Sequence, residues 1–298
     1  MPLRRACSPC LRSQSLPMCK RMGRGAKPFI HVPFGVGSTL RYHALKTADP
    51  GYALEDKMEF LEACEREGVP GSPFLRAPKF IVKHRNEEGG LGLQTFTNAA
   101  CGGEWIIQHA LSNSATIARL LPKVAPLSTF RLVSASRGCL LDDPKRASAE
   151  DIKVLSACFR AGREGASTDH SCIMFDVDLS RGVICKGTSN SHWYQLGITK
   201  AHRSPWATEG HTIYAHPDTG RAVAGECVPD FDQIVRLVSA AHLKLLPGVP
   251  LVGWDVALTE EAGVCLLEAN LSCNFFRATF DREAYFRFLE EVLLRLEK

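Results

Sequence analysis

Apolar residues recur at helical spacing in three long stretches and alternate with polar ones through much of the rest. Leu54-Glu-Asp-Lys57 leads into a predicted helix with Met58, Leu61 and Cys64 on one face, stopped by Gly68 and Pro70. Asp230 is placed to cap a helix carrying Ile234, Val238, Ala241 and Leu245, and Asp281 to open a last one carrying Tyr285, Leu289, Val292 and Leu296. A short helix is expected around Ala115–Leu121. Strand patterns cover Phe80–Lys83, Leu93–Phe96, Trp105–Gln108, Phe130–Ser134 and Val154–Arg160. Two hairpins follow: Ile173–Asp178 with Val183–Lys186, then Thr212–Ala215 with Arg221–Gly225. Strands mixed with helices packed alongside predict an α+β fold with a mostly antiparallel sheet, and order beginning near Ala53.

Composition narrows the class. The 298 residues are 45% apolar, enough for a sizeable core, and no apolar run reaches transmembrane length. The formal charge of +4 is unevenly spread. Residues 1–48 hold nine Arg or Lys and no acid, which leaves 27 bases against 32 acids in the remainder. The body is therefore acidic, and a nucleic-acid surface on it is not expected. The acid-free, Arg- and Ser-containing start is the composition of an organellar transit peptide, and equally of a disordered leader or a misplaced start. It lacks the apolar core of a secretory signal, so the expected location is the cytoplasm, or an organelle matrix or stroma if the leader is a transit peptide. Past residue 48 the cysteines are spread singly, several inside apolar runs, as free core thiols are in a reducing compartment. Cys7-Ser-Pro-Cys10 has no second pair to complete a zinc site.

The most informative segment is Leu251–Leu258, a polar turn, then Val264–Asn270. Two apolar strands around a glycine-containing turn predict a hairpin. Asp255 and Glu268 lie at equal distances from its centre, between Glu261 and Ala262, which makes them cross-strand neighbours with Cβ atoms about 5 Å apart. Asn270 points the same way. Facing carboxylates within apolar strands repel unless a cation lies between them, and hard ions such as Mg2+ take such oxygen ligands. The plain alternative is a surface hairpin whose polar face holds two acids.

A second group has phosphate-handling character. Lys83 is followed by Gly89, Gly90 and Gly92, whose amides can approach phosphate closely while the lysine supplies charge. No Gly-Lys-Ser/Thr follows, so this is not a Walker A loop, and such a turn between strands is often only a hairpin. Arg131 and Arg160 lie in strand patterns of mixed polarity, suited to phosphate or a carboxylate if they point inward. No Gly-x-Ser-x-Gly elbow nominates a hydrolase nucleophile.

In this order, the segments Leu54–Phe60, Phe80–Lys83 with Gly89–Gly92, Ile106–Gln108, Leu127–Arg131, Phe159-Arg160 with Thr168-Asp169, His216–Gly220, Val252–Ala257 and Leu267–Asn270 resemble the sugar-transfer associated branch of the ATP-grasp superfamily. The resemblance spans about residues 53–275. It implies an ATP-grasp fold, a small β-rich lid lobe against a larger mixed lobe. The corresponding boundaries are 1–48 for the leader, 49–126 for a helix and shortened lid, and 127–298 for the large lobe. It implies ATP and Mg2+ as cofactors, with Lys83, Gly89, Gly90, Gly92, Gln108 and His109 on the nucleotide, Asp255, Glu268 and Asn270 on the metal, and Arg131 and Arg160 as catalytic residues. The implied reaction activates a carboxylate as an acyl phosphate for attack by an amine or similar nucleophile. The substrates would be small molecules, with glycan or cell-surface precursors as one setting. His84, His109, His170 and the short lid depart from the family pattern. They point to an alternative, a catalytically degenerate nucleotide-binding protein. A phosphotransferase acting on a hydroxyl would use the same metal site.

Overall fold

A computed structural model describes residues 36–83, 85–86, 92–189, 212–271, 275 and 278–298. Helices α1 (Val36–Thr47) and α2 (Lys57–Glu67) lead into a two-stranded hairpin, β1 (Lys79–Val82) with β2 (Gln94–Thr97). A short helix α3 (Ala115–Ala118) follows. The large sheet then forms from β3 (Thr129–Ser136), β4 (Ile152–Ala161), β5 (Ile173–Asp178), β6 (Val183–Ser189), β7 (Leu251–Thr259) and β8 (Gly263–Asn270). Its order is β6-β5-β4-β3-β7-β8, every neighbour antiparallel. Helix α4 (Phe231–Leu245) connects β6 to β7, and α5 (Arg282–Leu296) ends the chain. This is the expected α+β architecture, one large antiparallel sheet and one small one.

The sheet's two faces have different chemistry. One carries Phe130, Leu132, Phe159, Phe175, Trp254, Val256 and Leu266, all fully buried. Helix α4 packs there through Ile234, Val238 and Ala241, and α2 packs on α4 and β8. The other face presents Arg131, Arg160, Asp255 and Glu268, beside a small plug of Cys158, Cys172, Met174 and Ala278. Cys64, Cys158, Cys172 and Cys265 are buried free thiols. Among the described residues no helix is long and apolar enough to cross a membrane.

Several elements differ from the sequence expectation. Order starts before Ala53, since α1 buries Leu40 and His43 and packs on α5. Helix α2 starts at Lys57, where the Asp56 carboxylate accepts from the Met58 and Glu59 amides, and Gly68 ends it at φ 61°. Asp230 sits at the head of α4, but its own φ is 50° and its side chain makes no capping bond. Side-chain capping needs extended backbone at that residue. Trp105 and Gln108 each make one bridge, to Asn98 and Phe74, so that stretch is not a strand. The second predicted hairpin reduces to the bridge Ala215–Ala222.

Two buried histidines make stability depend on pH. His242 is fully buried, and burial holds it down to about 4 from 6.5. Its Nε2–H donates to the Val249 carbonyl at 2.9 Å and its Nδ1 accepts from Ser134 Oγ at 2.7 Å, which identifies the neutral tautomer. His43 is likewise held down to about 4 by burial. Both are neutral when folded, whereas the unfolded chain takes up protons near pH 6.5. The stability they contribute is thus complete above that pH and is lost as pH falls toward 4. The urea midpoint is expected to drop between pH 7 and pH 5. A flat profile across that window would exclude neutral buried imidazoles at these positions.

Candidate functional site

Strands β7 and β8 set the position of the acidic pair. Asp255 stands directly opposite Glu268, and Gly253 opposite Asn270. The turn itself closes with Thr259 opposite Gly263, which on unbroken pairing would place Leu267 against Asp255. The register shifts between Asp255 and Val256, so Leu267 is the extra residue of a β-bulge. The bulge has a chemical effect. In regular pairing Leu266 and Glu268 would share a face, because side chains alternate with period two. With one residue inserted between them, Leu266 stays in the core opposite Val256, while Glu268 turns to the polar face opposite Asp255.

Asp255 is held by two arginines from neighbouring strands. Arg131 is its cross-strand partner on β3. It donates from Nε to Oδ1 at 2.5 Å and from Nη2 to Oδ2 at 2.9 Å, a bidentate pair. Arg160, one strand further on, donates from Nη1 to Oδ2 at 3.3 Å and from Nη2 to Asp169 Oδ1 at 3.0 Å. Thr129 Oγ1 donates to the other Asp169 oxygen at 2.6 Å. Burial opposes ionisation of Asp255, but Arg131 and Arg160 outweigh it, so the carboxyl titrates below its usual range. At Asp169 burial prevails over Arg160 and Thr129, and the carboxyl is raised. The loop carrying Asp169 is tied down at its start. Ser128 Oγ accepts from the Gly162 amide at 2.9 Å, and His216 Nε2–H donates to the Gly162 carbonyl at 3.0 Å.

Glu268 lies at the more open end of the group. Its Oε2 meets Lys57 Nζ, at the start of α2, at 2.9 Å, and its Oε1 accepts from Asn270 Nδ2 at 3.1 Å. Its carboxyl faces that of Asp255 across the β7–β8 register. Two facing carboxylates repel unless cations are close by, and here Arg131, Arg160 and Lys57 supply them. Two carboxylates and an amide are the oxygen donors a hard divalent ion takes, with water or phosphate completing the shell, so the set fits Mg2+. Among the described residues no group of three or more His, Cys, Asp or Glu is arranged for a metal. The ionic account is already balanced. Arg131, Arg160 and Lys57 face Asp169, Asp255 and Glu268, three formal charges of each sign.

The lid-side residues are spread along the connecting segments. Lys83 is exposed just past β1, and Gly92 lies before β2 at φ 67°. Gly89 and Gly90 lie outside the described residues. Ile81, Val82 and Leu93 are exposed on the same hairpin. Gln108 and His109 are exposed, and Gln108 Nε2 donates to Ser72 Oγ at 3.0 Å. The Ser72 amide in turn donates to the Leu266 carbonyl at 2.8 Å, and Gly71 bridges Leu266. A chain of bonds thereby links the Gln108 segment to β8, two residues from Glu268. The structure thus brings Arg131, Arg160, Asp255, Glu268 and Asn270 together on one face. Sequence reasoning did not single out Asp169, Thr129 or Lys57 as site residues. All three stand in segments that carry the family resemblance, and that was the only available signal.

Comparison with solved structures finds distant similarities. D-alanyl-alanine synthetase A from Vibrio cholerae aligns over 81% of this chain and 64% of its own, with 9% identity and a TM-score of 0.35. N5-carboxyaminoimidazole ribonucleotide synthetase from Thermotoga maritima aligns over 73% and 41%, with 10% identity and a TM-score of 0.33. The ATP-grasp ligase PsnB, complexed with a minimal precursor, aligns over 87% and 68%, with 12% identity and a TM-score of 0.37. The chain thus spans less than two thirds of the length of the first two. No curated protein sequence matches it. The family model for sugar-transfer associated ATP-grasp proteins matches residues 105–276, which include β3 to β8 and all of the charge group but Lys57. On that match, over more than half its length, the chain belongs to the sugar-transfer associated ATP-grasp family.

Proposed function

We propose that the protein is an ATP- and Mg2+-dependent ligase that activates a carboxylate as an acyl phosphate and passes the acyl group to an amine or similar nucleophile. The observation that carries this reading is the cross-strand pairing of Asp255 and Glu268 on a sheet face that also holds two arginines. Bound Mg2+ would neutralise phosphate charge. Glu268 and Asn270, with the Asp255 oxygens, would hold it. Arg131 and Arg160 would stabilise the charge that develops as the phosphoryl group moves, work that needs positioning more than covalent chemistry. Lys83 with the Gly89, Gly90 and Gly92 amides would cradle the phosphates, and Gln108 and His109 would border the base and ribose. In this reading residues 49–126 act as the lid and residues 127–298 as the large lobe. Glycan or cell-surface precursors are the substrate setting we favour.

The balanced charges add a condition. A divalent ion entering alone would leave an excess of two positive charges in a partly buried site, whereas nucleotide phosphates arriving with it offset them. Mg2+ should therefore bind together with nucleotide and not ahead of it.

One observation favours a second reading, a family member that binds nucleotide without turnover. Both oxygens of Asp255 are already satisfied by guanidinium groups, so the face is stable without metal. Calorimetric titration of the full chain separates these readings. Mg2+-ADP should bind, Mg2+ alone should give no measurable heat, and Glu268→Gln should weaken Mg2+-ADP by at least about tenfold. An ADP-release screen over carboxylate and amine pairs then tests turnover. If nucleotide binds with equal affinity with and without Mg2+, the metal assignment fails. If it binds with Mg2+ but no pair releases ADP, the second reading stands.

A further inference from the structure

We infer that Asp169, braced by Thr129, is a positioning residue that holds Arg160 partly away from Asp255 and so keeps Asp255 accessible to a cation. The inference rests on the ligase reading above and concerns the same site.

A guanidinium beside one carboxylate settles into a two-point fork, as Arg131 does on Asp255. Arg160 does not. Its Nη1 reaches Asp255 Oδ2 at 3.3 Å, the longest contact in the group, while its Nη2 is drawn to Asp169 Oδ1 at 3.0 Å. Asp169 cannot follow if Arg160 leans toward Asp255. Its second oxygen is held by Thr129 Oγ1 at 2.6 Å, and Thr129 lies directly opposite Arg160 in the β3–β4 register. The brace is therefore built into the sheet, and the Asp169 loop closes onto it. Thr129 is buried, and the Arg160 and Asp169 side chains are 12% and 16% exposed, so water competes weakly for these bonds.

The consequence is a matter of lone pairs. A carboxylate has about four acceptor positions. Two forked arginines on Asp255 would take them all and exclude metal. One forked arginine plus one single contact uses three, and Asp169 maintains that difference. When phosphates approach, Arg160 can then turn its Asp255-facing nitrogen to them while Asp169 retains the rest of the side chain.

The test is a double-mutant cycle on the full chain, read by calorimetric binding of Mg2+-ADP, with melting temperature as the control for folding. Asp169→Asn keeps the shape and removes the charge, and is expected to weaken Mg2+-ADP by about tenfold. In an Arg160→Gln background the same change should alter binding by less than about twofold, because its effect passes through Arg160. Thr129→Val should weaken binding in the same sense, and Thr129→Ser, which retains the donor, should recover most of the loss. Additive effects of Asp169→Asn and Arg160→Gln would overturn the inference, as would unchanged binding in a folded Asp169→Asn protein. Wild-type protein that fails to bind Mg2+-ADP at all would instead overturn the ligase reading, and this inference with it.

Discussion

Asp255→Ala is expected to lower the stability of the fold by about 3–5 kcal/mol, because it leaves the guanidinium of Arg131 without its partner inside the protein. The Arg131 and Asp255 side chains are 7% and 8% exposed. Removing one member of such a pair costs far more than the pair contributes net, since the remaining charge loses its two-point partner and stays largely shielded from water. Against a total stability of about 5–15 kcal/mol this is a large share. Glu268→Ala should behave differently. Its ion-pair partner Lys57 is 66% exposed and returns to water, so the expected cost is below about 1 kcal/mol. Urea denaturation of the two variants measures the contrast. If Asp255→Ala and Glu268→Ala shift the midpoint equally, Asp255 is not the buried keystone of the face. The difference also governs how function is tested. Loss of nucleotide binding in Asp255→Ala would not separate a missing ligand from a missing fold, whereas Glu268→Gln reports on the ligand alone.

Trp254→Ala is the second large effect, again about 3–5 kcal/mol, but from packing. Trp254 is fully buried on the opposite face of the same strand, 6.3 Å from the Phe60 ring and 6.0 Å from His242. Its Nε1–H donates to Ser134 Oγ at 2.8 Å, and Ser134 donates onward to His242. Truncation opens a cavity between α2, α4 and β7 and removes one member of a buried polar chain. Trp254→Phe should cost less, since it fills most of the space and loses chiefly the N–H. Equal midpoints for wild type and Trp254→Ala would contradict the packing described. Adjacent residues thus face two environments: Asp255 is placed by charge and Trp254 by volume.

The elements most legible in the sequence are those whose signal is local. Alternation and turn residues placed β3 to β8 to within two or three residues, and the apolar stripes of α2, α4 and α5 appear on their buried faces. The Asp255–Glu268 pairing was legible for a less direct reason. Equal spacing from an assumed centre gave the right partners, but the turn is centred on Glu261, and the bulge at Leu267 restores the pairing. What could not be read was long-range. Nothing near Arg131 or Arg160 in sequence indicates that both point at one carboxylate, or that Asp169 completes the group from a separate loop. Trp105–Gln108 has strand composition yet lacks a continuous partner strand, so it remains an extended segment with isolated bridges. The start of order was misplaced for a similar reason. Helix α1 lies within the acid-free run of residues 1–48, and charge alone does not mark it.

The Leu267 bulge makes the identity of the site a matter of counting. Every substitution near Glu268 leaves that residue on the polar face, because the face is decided by how many residues separate it from the turn. Gain of a single codon between Gly263 and Glu268 would turn the strand's far end over and send the carboxylate toward the hydrocarbon interior, whereas loss of Leu267 would restore unbroken pairing with the carboxylate still opposite Asp255. Length along β8 therefore matters in one direction: the strand can give up its extra residue but cannot take in another.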